Sequence, residues 1–341
     1  MTKSSSNFLL PAPIKGGFRL EDHWVWCGSV VRGDDGIYHM FASLWEKKVP
    51  FEPNWLTNSR VVHAVSESPE GPYAFRDEVL PPRGNEHWDG MMTHNPTVHR
   101  YGNRYLLFYT GTTYRAERPK GPAGPELKVE ARSNQRIGMA VASSPNGPWT
   151  RPDSPCLDVR PNHWDSFMTT NPAPCVLPSG QIHLLYKSTS SNAAPIQYGV
   201  ACAVSPDAPF ERVGPDAPIT FHDPSVSYED AYVWHEEDGF HMIFNDMTGK
   251  LTGEDHAGAH AISQDGIQWE LSPKPKFYSR TLRWSDGSTT IQGSFERPQL
   301  LFQDGVPTHL FAATADGPGG FAHANNTWNM VVPLDYSKLS S

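Results

Sequence analysis

The sequence lacks three features that would point to common classes of protein. It has no apolar run near the roughly 20 residues that a membrane-spanning helix needs. It has no excess of positive charge, and its net charge of −9 opposes the phosphate backbone of nucleic acids. Its four cysteines show neither a CxxC motif nor the spacing of a zinc site, so we expect buried thiols. These absences predict a protein that binds neither nucleic acid nor a membrane.

Glycine and proline are plentiful instead, with 28 and 32 residues scattered along the chain. Aromatic residues make up 11% of the sequence, whereas charged residues make up only 19%. This composition favours many short strands joined by turns over long helices. The first residues, MTKSSSNFLLPAPIKGG, contain no apolar segment of the length found in signal peptides, so we expect a cytoplasmic location.

One turn phrase recurs four times along the chain. Each copy ends a strand, turns at Pro, Asp or Gly residues and leads into a further strand that carries an aromatic residue. The copies are SESPEGPYAF from Ser66, ASSPNGPWTR from Ala142, AVSPDAPFER from Ala203 and AISQDGIQWE from Ala261. Small residues in the preceding strands indicate close packing of successive sheets. Repetition at such intervals is typical of arrays of similar units.

Two further phrases accompany the turns, and each of them occurs five times. Alternating apolar strands read GIYHMFASLW, NRYLLFYTGT, QIHLLYKSTS, DGFHMIFNDM and PTHLFAATAD. Shorter phrases lead into these strands and read WCGSVV, THNPTV, TTNPAP, YEDAYV and FERPQL. Each unit would expose an apolar sheet face if it stood alone, and radial stacking of the units buries that face.

We therefore predict one all-β domain over residues 1–341, a five-bladed β-propeller with about four antiparallel strands per blade. The blades are expected at roughly residues 20–80, 88–152, 164–214, 224–273 and 290–335. The alternative is a two-sheet sandwich whose turns are similar by coincidence. The stretches KKVPFEPNWLTNS and RAERPKGPAGPELKVEARSN are predicted as loops inside blades 1 and 2.

In a propeller the first strand of each blade lines the central axis, so the short phrases converge at one mouth. Their polar positions are Cys27-Gly28-Ser29, His94-Asn95-Pro96, Thr170-Asn171-Pro172, Glu229-Asp230-Ala231 and Glu296-Arg297-Pro298. The loops ahead of these strands contain Asp22, Asp89, Asp165, Asp223 and Asp286. Buried polar groups are unfavourable without partners. The convergence therefore predicts either a hydrogen-bonded cap that ties the blades together or a ligand-binding site.

These phrases resemble the five-bladed propeller glycoside hydrolases, the broad group that contains families 43, 32, 68 and 117. The resemblance covers nearly the whole chain and implies an exo-acting hydrolase of O-glycosyl bonds in carbohydrate metabolism and polysaccharide degradation. In that group the general acid is a glutamate at the start of an inner strand in a later blade, as Glu229 and Glu296 are. The group's base or nucleophile is an aspartate that opens blade 1, but here blade 1 reads WCGSVV. This departure indicates a divergent member.

Glycoside hydrolysis requires a carboxylic acid that protonates the leaving oxygen and a second carboxylate that activates water or attacks carbon. We predict Glu229 as the acid, with Asp230 tuning it or binding a hydroxyl group. Asp165 or Asp89 is the expected base or substrate-orienting group. Glu296 is a further catalytic candidate because it occupies an equivalent strand start.

The expected substrate-binding residues are Asp89, His94, Asn95, Asn171, Arg297, Trp26, Trp88 and Trp164. The tryptophans suit the apolar face of a sugar ring, although packing between blades is an alternative role for them. Arg297 either clamps the carboxylate of an acidic sugar, which a guanidinium matches in shape, or neutralises Glu296. The predicted substrate is accordingly an oligosaccharide, with an acidic sugar as one option.

Two other functions fit the same scaffold. A glycoside phosphorylase would keep the acid and replace the base with a phosphate pocket. A non-catalytic propeller would bind glycans without turnover. We expect no required cofactor; a structural metal at the axis is compatible with the converging His, Asp and Asn residues, but no ligand spacing specifies one. The sugar, its linkage and the oligomeric state stay open at this stage.

Overall fold

The computed structural model describes residues 8–214, 219, 226–317 and 319–338, and these residues form five larger antiparallel sheets and one two-stranded hairpin. The innermost strands of the sheets contact one another in a closed cycle around one axis. Helix accounts for 5% of the chain. The predicted all-β five-bladed propeller is therefore confirmed, and the two-sheet sandwich is wrong.

The strands follow one another from the axis outwards in chain order. Blade 1 contains β1 (His23–Arg32), β2 (Tyr38–Glu46), β3 (Arg60–Ser66) and β4 (Ala74–Leu80). Blade 2 contains β5 (Met92–Tyr101), β6 (Arg104–Thr112) and β7 (Arg136–Ala142). Blade 3 contains β8 (Met168–Val176), β9 (Ile182–Thr189), β10 (Gln197–Ala203) and β11 (Glu211–Val213).

Blade 4 contains β12 (Tyr228–Glu236), β13 (Gly239–Asp246), β14 (Ala257–Ser263) and β15 (Glu270–Tyr278). A hairpin of β16 (Thr281–Arg283) and β17 (Thr289–Ile291) follows, outside the blades. Blade 5 contains β18 (Ser294–Gln303), β19 (Val306–Ala315) and β20 (Thr327–Pro333). The sequence analysis did not anticipate the hairpin.

The core lies between neighbouring blades, where apolar faces of the sheets pack on each other. Phe311 of blade 5 packs in one cluster with Met40 of blade 1, for example. The third strands of blades 1 to 4 carry fully buried alanines at matching places, namely Ala64, Ala140, Ala201 and Ala261. A larger side chain at these places would separate the sheets, because protein interiors are close-packed.

Blades 2 and 5 have three strands each, and short bridges take the outer place. In blade 2, Val141 and Thr150 exchange backbone hydrogen bonds of 3.0 and 2.9 Å. In blade 5, Phe18 from the N-terminal segment and Asn329 from β20 exchange bonds of 2.9 and 3.0 Å. The N-terminal segment thereby pairs with the last strand of the chain, which closes the ring of blades.

The long loops of blades 1 and 2 contain the two α-helices, α1 (Trp55–Asn58) and α2 (Pro125–Ser133). Both stretches were predicted as loops without helices. The second helix begins at Pro125, whose fixed φ and missing N–H suit a first helical position. The two loops pack together, and the Tyr114 hydroxyl donates a hydrogen bond of 2.8 Å to the Thr57 carbonyl. Blades 1 and 2 are thus joined by a helical cap.

Neither helix is long and apolar enough to cross a membrane, nor is any other helix among the described residues. All four cysteines are free thiols. Cys27 and Cys175 are buried, whereas Cys156 and Cys202 are half-buried. The sequence-based expectation of thiols without a disulfide framework is met in the structure.

Candidate active site

Each inner strand carries a bulge near its start, and the five bulges occupy equivalent places. The pairing register shifts between Trp26 and Ser29, His94 and Thr97, Thr170 and Ala173, Glu229 and Tyr232, and Glu296 and Gln299. Inside each bulge one residue has a positive φ, namely Cys27 (47°), Asn95 (51°), Asn171 (50°), Asp230 (61°) and Arg297 (56°). Positive φ is uncommon outside glycine. Its repetition in all five blades indicates that the bulges aim these side chains at the axis.

The bulge accounts for the Asn-Pro pair that occurs in the inner strands of blades 2 and 3. Asn95 and Pro96 both fall in the unpaired part of β5, and Asn171 and Pro172 do so in β8. Proline has no N–H to donate to a ladder, so an unpaired position tolerates it. Asparagine is among the few residues that adopt the left-handed conformation readily.

The bulge side chains form a hydrogen-bonded ring around the axis. Cys27 Sγ donates to Asn95 Oδ1 at 2.7 Å, and Asn95 Nδ2 donates to Asn171 Oδ1 at 2.5 Å. Asn171 Nδ2 donates to Asp230 Oδ1 at 2.8 Å. Arg297 Nη1 reaches the same oxygen of Asp230 over a longer distance of 3.5 Å. One side chain from each blade therefore contributes to a polar floor, which we call the axial ring.

Carboxyl groups gather beside the axial ring in blades 4 and 5. Glu296 is 8% exposed, and its burial together with the charges of Asp230 and Glu229 raises its pKa to about 8. Burial also raises the pKa of Asp230, against the opposing charge of Arg297. Glu229 forms an ion pair with Lys187, whose Nζ lies 3.0 Å from Oε2. Glu296 thus keeps its proton at neutral pH, whereas Glu229 forms an ion pair with Lys187.

Several buried polar atoms near these carboxyl groups have no partner among the described residues. They include Nε and Nη2 of Arg297, both amide atoms of Asn245 and the hydroxyls of Tyr198 and Tyr278. Asn245 lies opposite Glu229 in the β12–β13 pairing. A buried polar group without a hydrogen bond costs about 1–3 kcal/mol. Such a concentration is typical of a place where a polar ligand completes the bonds.

His94 and Trp55 form an aromatic side of the site. The His94 Nδ1 lies 2.7 Å from Ser59 Oγ, and its ring centroid lies 5.3 Å from that of Trp55. Burial, with the charges of Arg297 and Lys187, lowers the pKa of His94 well below its usual value, so the imidazole is neutral. Trp55 is half-buried and belongs to α1 of the helical cap.

Sequence analysis missed Trp55 and Lys187. Trp55 lies in a stretch of blade 1 that was predicted as a loop, and only its aromatic side chain among prolines and asparagines could have indicated a role. Lys187 lies in β9, away from the strand starts on which the site prediction depended. Its signal was a single lysine in an otherwise apolar strand; that lysine is 8% exposed in the structure.

Asp89 is fully buried and does not join the axial group. Its carboxylate accepts hydrogen bonds of 2.7 Å each from Arg83 Nε, Arg151 Nη2 and the Tyr109 hydroxyl. Trp88 stacks on Tyr109 with ring centroids 5.8 Å apart. These contacts hold the loop ahead of β5 to blade 2, so the sugar-binding roles predicted for Asp89 and Trp88 have no support from their contacts.

Asp165 repeats this arrangement in blade 3. Its carboxylate accepts bonds of 2.9 Å from Arg160 Nε, 2.7 Å from Arg212 Nε and 2.9 Å from the Tyr186 hydroxyl. Trp164 stacks on Tyr186 with centroids 5.9 Å apart. Because Arg212 belongs to the outermost strand of the blade, these contacts face away from the axial ring. These contacts give no support to the catalytic role of Asp165 or the sugar-binding role of Trp164, and both stay predictions.

Trp26 is also a packing residue. It is 6% exposed and meets Phe51 and Phe321 edge-on, with centroids 4.9 and 6.2 Å apart. Asp22 and Asp286 are exposed, and Asp223 lies outside the described residues. The structure thus brings six predicted residues to the carboxyl cluster and the ring beside it, namely Glu229, Asp230, Glu296, Arg297, Asn95 and Asn171, with His94 adjacent.

The described residues contain one group of three side chains with metal-ligand geometry, Glu236, Asp238 and His241. These residues lie where β12 turns into β13, at the end of the inner strand away from the bulge. Asp238 is largely exposed and is bonded to His241 Nε2 at 2.9 Å. No comparable group occurs at the axis within the described part of the chain, so the structure offers no support for an axial metal.

No protein-family model matches the sequence, and no curated protein matches it either. Solved structures match over nearly the full length. A family 117 glycoside hydrolase, Zg3597, from the marine bacterium Zobellia galactanivorans has a TM-score of 0.66 at 17% identity, covering 96% of this chain and 89% of that one. A thermostable family-43 glycoside hydrolase gives 0.64 at 14% identity, with 96% of each chain covered.

An α-L-arabinofuranosidase from Lactobacillus brevis gives a TM-score of 0.60 at 11% identity, covering 95% of this chain and 92% of that one. Identities this low establish likeness of fold. The predicted resemblance to the five-bladed propeller glycoside hydrolases, as a divergent member, is thus confirmed at the level of the fold. What the site does has to be argued from its own residues.

Proposed function

We propose that the protein is a glycoside hydrolase whose active site is the pocket above the axial ring. The observation that carries this proposal is the pair formed by Glu296, which holds a proton at neutral pH, and Glu229, which is paired with Lys187. Hydrolysis of a glycosidic bond uses one protonated and one ionised carboxyl group. The fold shared with known glycoside hydrolases supports the same reaction.

Glu296 is the proposed proton donor, in place of Glu229. Burial and the charges of Asp230 and Glu229 keep the proton on Glu296, whereas Glu229 forms an ion pair of 3.0 Å with Lys187. As the bond between C1 and the leaving oxygen breaks, Glu296 transfers its proton to that oxygen. Glu229 supplies the second carboxylate, which either activates the water that attacks C1 or attacks C1 itself. Environments that separate the pKa values of two carboxyl groups are typical of acid and base partners.

Arg297 is proposed to bind a carboxylate of an acidic sugar. Its Nη1 contacts Asp230, whereas its Nε and Nη2 have no partner among the described residues. A guanidinium edge presents two parallel donors that match a planar carboxylate. The cationic groups Lys187 and Arg297 balance Glu229 and Asp230, so the pocket can accept the added negative charge.

We propose an exo-acting mode for this site. The hydrogen bonds of the axial ring join side chains from all five blades, and a floor of this kind would admit the end of a sugar chain and exclude its interior. The proposed substrate is therefore the terminal unit of an oligosaccharide.

Turnover on a panel of oligosaccharides tests the proposal. The panel starts with arabinofuranosides and arabinan, the substrates named for two proteins of this fold, and adds oligosaccharides with uronic acids. Glu296→Gln should lower kcat/KM for the best oligosaccharide by about 10²–10⁴-fold, the usual contribution of general acid catalysis. An aryl glycoside with an activated leaving group needs little protonation and should be affected much less.

Glu237→Gln is the matched control, because it makes the same change at an exposed position of blade 4. Equal rates for Glu296→Gln and wild type on the oligosaccharide would overturn the assignment. Assays with and without inorganic phosphate separate the phosphorylase alternative, which releases sugar phosphate only when phosphate is present. Binding of glycans without turnover by the wild type would overturn the proposed hydrolase.

A further inference from the structure

A cavity of about 630 Å³ opens beside blade 5, and none of the axial residues lines it. Its walls come from the N-terminal segment, the β16–β17 hairpin and the loop after β19. The lining residues used below are Arg19, Trp284, Asp286, Ile291, Gln292 and Trp328. The volume falls in the range of about 300–1,000 Å³ that is typical of small-molecule sites.

Two tryptophans provide apolar surface in this cavity. Trp328 is 6% exposed, and the guanidinium of Arg19 lies 4.0 Å above its ring. Trp284 is half-buried, and its Nε1 donates to Thr290 Oγ1 at 2.7 Å, which fixes the orientation of the indole. Ile291 next to them is more than half exposed. A fixed aromatic surface of this kind suits the apolar face of a sugar ring.

Donors and acceptors line the same cavity. The guanidinium of Arg19 has no hydrogen-bond acceptor among the residues that the structure describes. Asp286 uses Oδ1 for its hydrogen bonds to Ser288, at 2.9 Å from the backbone N and 2.6 Å from Oγ. The carboxylate that acts on the charge of Arg19 is that of Asp316, which also lines the cavity. A sugar hydroxyl both donates and accepts, so it matches a guanidinium with a carboxylate nearby. A phosphate or sulfate would meet repulsion from Asp286 and Asp316.

The cavity lies close to the proposed active site. Gln292 lines the cavity, and Glu296 follows it in the segment that enters blade 5. An extended chain rises at most about 3.6 Å per residue, so the two Cα atoms are at most about 14 Å apart. The two places are therefore close enough for one oligosaccharide to span them.

We infer that this cavity is a second carbohydrate-binding site, which holds a neutral sugar unit of the glycan whose end occupies the axial pocket. The inference rests on the proposed function, because it states that the substrate of the axial site extends into this cavity. The substrate class is then an oligosaccharide longer than a disaccharide. Trp284 supplies the platform for the distal unit, and Arg19 and Asp286 bind its hydroxyl groups.

Chain-length preference tests this inference. For the best substrate of the panel, kcat/KM is measured from the disaccharide to the hexasaccharide in the wild type and in Trp284→Ala. The ratio of hexasaccharide to disaccharide should fall about tenfold in Trp284→Ala, equal to about 1.4 kcal/mol, because the aromatic contact with the distal sugar is lost. Phe75→Ala is the matched control, since Phe75 is an exposed aromatic residue on β4 of blade 1. An unchanged ratio in Trp284→Ala would overturn the inference.

Affinity electrophoresis in gels that contain arabinan or a uronic-acid polysaccharide separates this inference from the proposed function. Glu296→Gln protein should be retarded as the wild type is, and the further change Trp284→Ala should remove most of the retardation. This outcome supports the second site even if no turnover is found. Equal retardation with and without Trp284, or none with either polysaccharide, overturns it. A change of oligomeric state on Trp284→Ala, measured by sedimentation, would also overturn it, because the cavity would then be a protein interface.

Discussion

Blades 3 and 5 each bury a carboxyl group, and the two groups differ in their partners. Asp165 of blade 3 is fully buried and bonded to two arginines and a tyrosine. Glu296 of blade 5 is almost as buried, but the charges that affect it most are the carboxyl groups of Asp230 and Glu229. The comparison teaches that burial alone does not identify a functional carboxyl group; its partners do.

The same distinction runs through the repeated phrases HWDGMMTHNP and HWDSFMTTNP. Their Trp-Asp halves are bonded within a blade, as Asp89 and Asp165 show. Their Asn-Pro halves form bulges that aim Asn95 and Asn171 at the axis. One phrase therefore serves both the stability of a blade and the construction of the axial ring.

The largest effect on stability is expected for Asp165→Asn. Removing one member of a buried ionic group leaves the other charges unpaired and typically costs about 3–5 kcal/mol. The free energy of unfolding, measured by urea denaturation, should fall by this order. Asp207→Asn is the control, because it removes an exposed ion pair with Arg104 and should change stability little. A stability of Asp165→Asn equal to that of the wild type would contradict the stabilising role of Asp165 in blade 3.

A pair of tyrosine substitutions tests the same distinction between partnered and unpartnered buried groups, with smaller expected changes in the free energy of unfolding. The Tyr186 hydroxyl donates to Asp165 Oδ2 at 2.9 Å, whereas the Tyr198 hydroxyl is buried without a partner among the described residues. Tyr186→Phe should lower the free energy of unfolding by about 1.5–3 kcal/mol, the range for hydrogen bonds to charged groups. Tyr198→Phe should leave it unchanged or raise it. Equal losses of unfolding free energy in both variants would show that the hydrogen bond to Asp165 does not decide the contribution of the tyrosine hydroxyl.

Lys187→Met extends the comparison to activity. Lys187 Nζ lies 3.0 Å from Glu229 Oε2, so the substitution leaves this carboxyl group without its ion-pair partner. We expect kcat/KM for the best oligosaccharide to fall about tenfold, equal to about 1.4 kcal/mol. Lys276→Met is the control, since Lys276 forms an ion pair of the same 3.0 Å length with Glu254 in blade 4. A kcat/KM of Lys187→Met equal to that of the wild type would exclude this role for Lys187.

Much of the fold could be predicted because each blade repeats the same strand and turn phrases. The exceptions were α1, the β16–β17 hairpin and α2, where the short helical stretch PELKVEARS is preceded by glycines and prolines that predict loop. Tertiary contacts with the blade-1 loop, such as the bond from Tyr114 to Thr57, help to hold the helical cap in place. Local sequence alone does not report such contacts.

The sequence predicted which residues lie at the candidate site, but it did not predict the ion pairs that these residues form. The strand starts identified Glu229, Asp230, Glu296 and Arg297, because propeller geometry brings those positions together. The pairing of Glu229 with Lys187 joins two different blades. Likewise, Arg212 reaches Asp165 from a strand that follows it by more than forty residues. These contacts between distant residues are not visible in the sequence, which is why the sequence favoured Glu229 as the acid, whereas our proposal places the proton on Glu296.

The central claim is that Glu296 keeps its proton at neutral pH, and a direct titration tests it. Protein labelled with ¹³C at the glutamate side-chain carboxyl carbons is titrated by NMR, and the spectrum of Glu296→Gln identifies the resonance of Glu296. We predict that this resonance titrates with a midpoint of about 8, because burial and the neighbouring carboxyl groups oppose its ionisation. A midpoint at the ordinary value of 4.5 would contradict the account, because Glu296 would then be ionised when the reaction needs its proton.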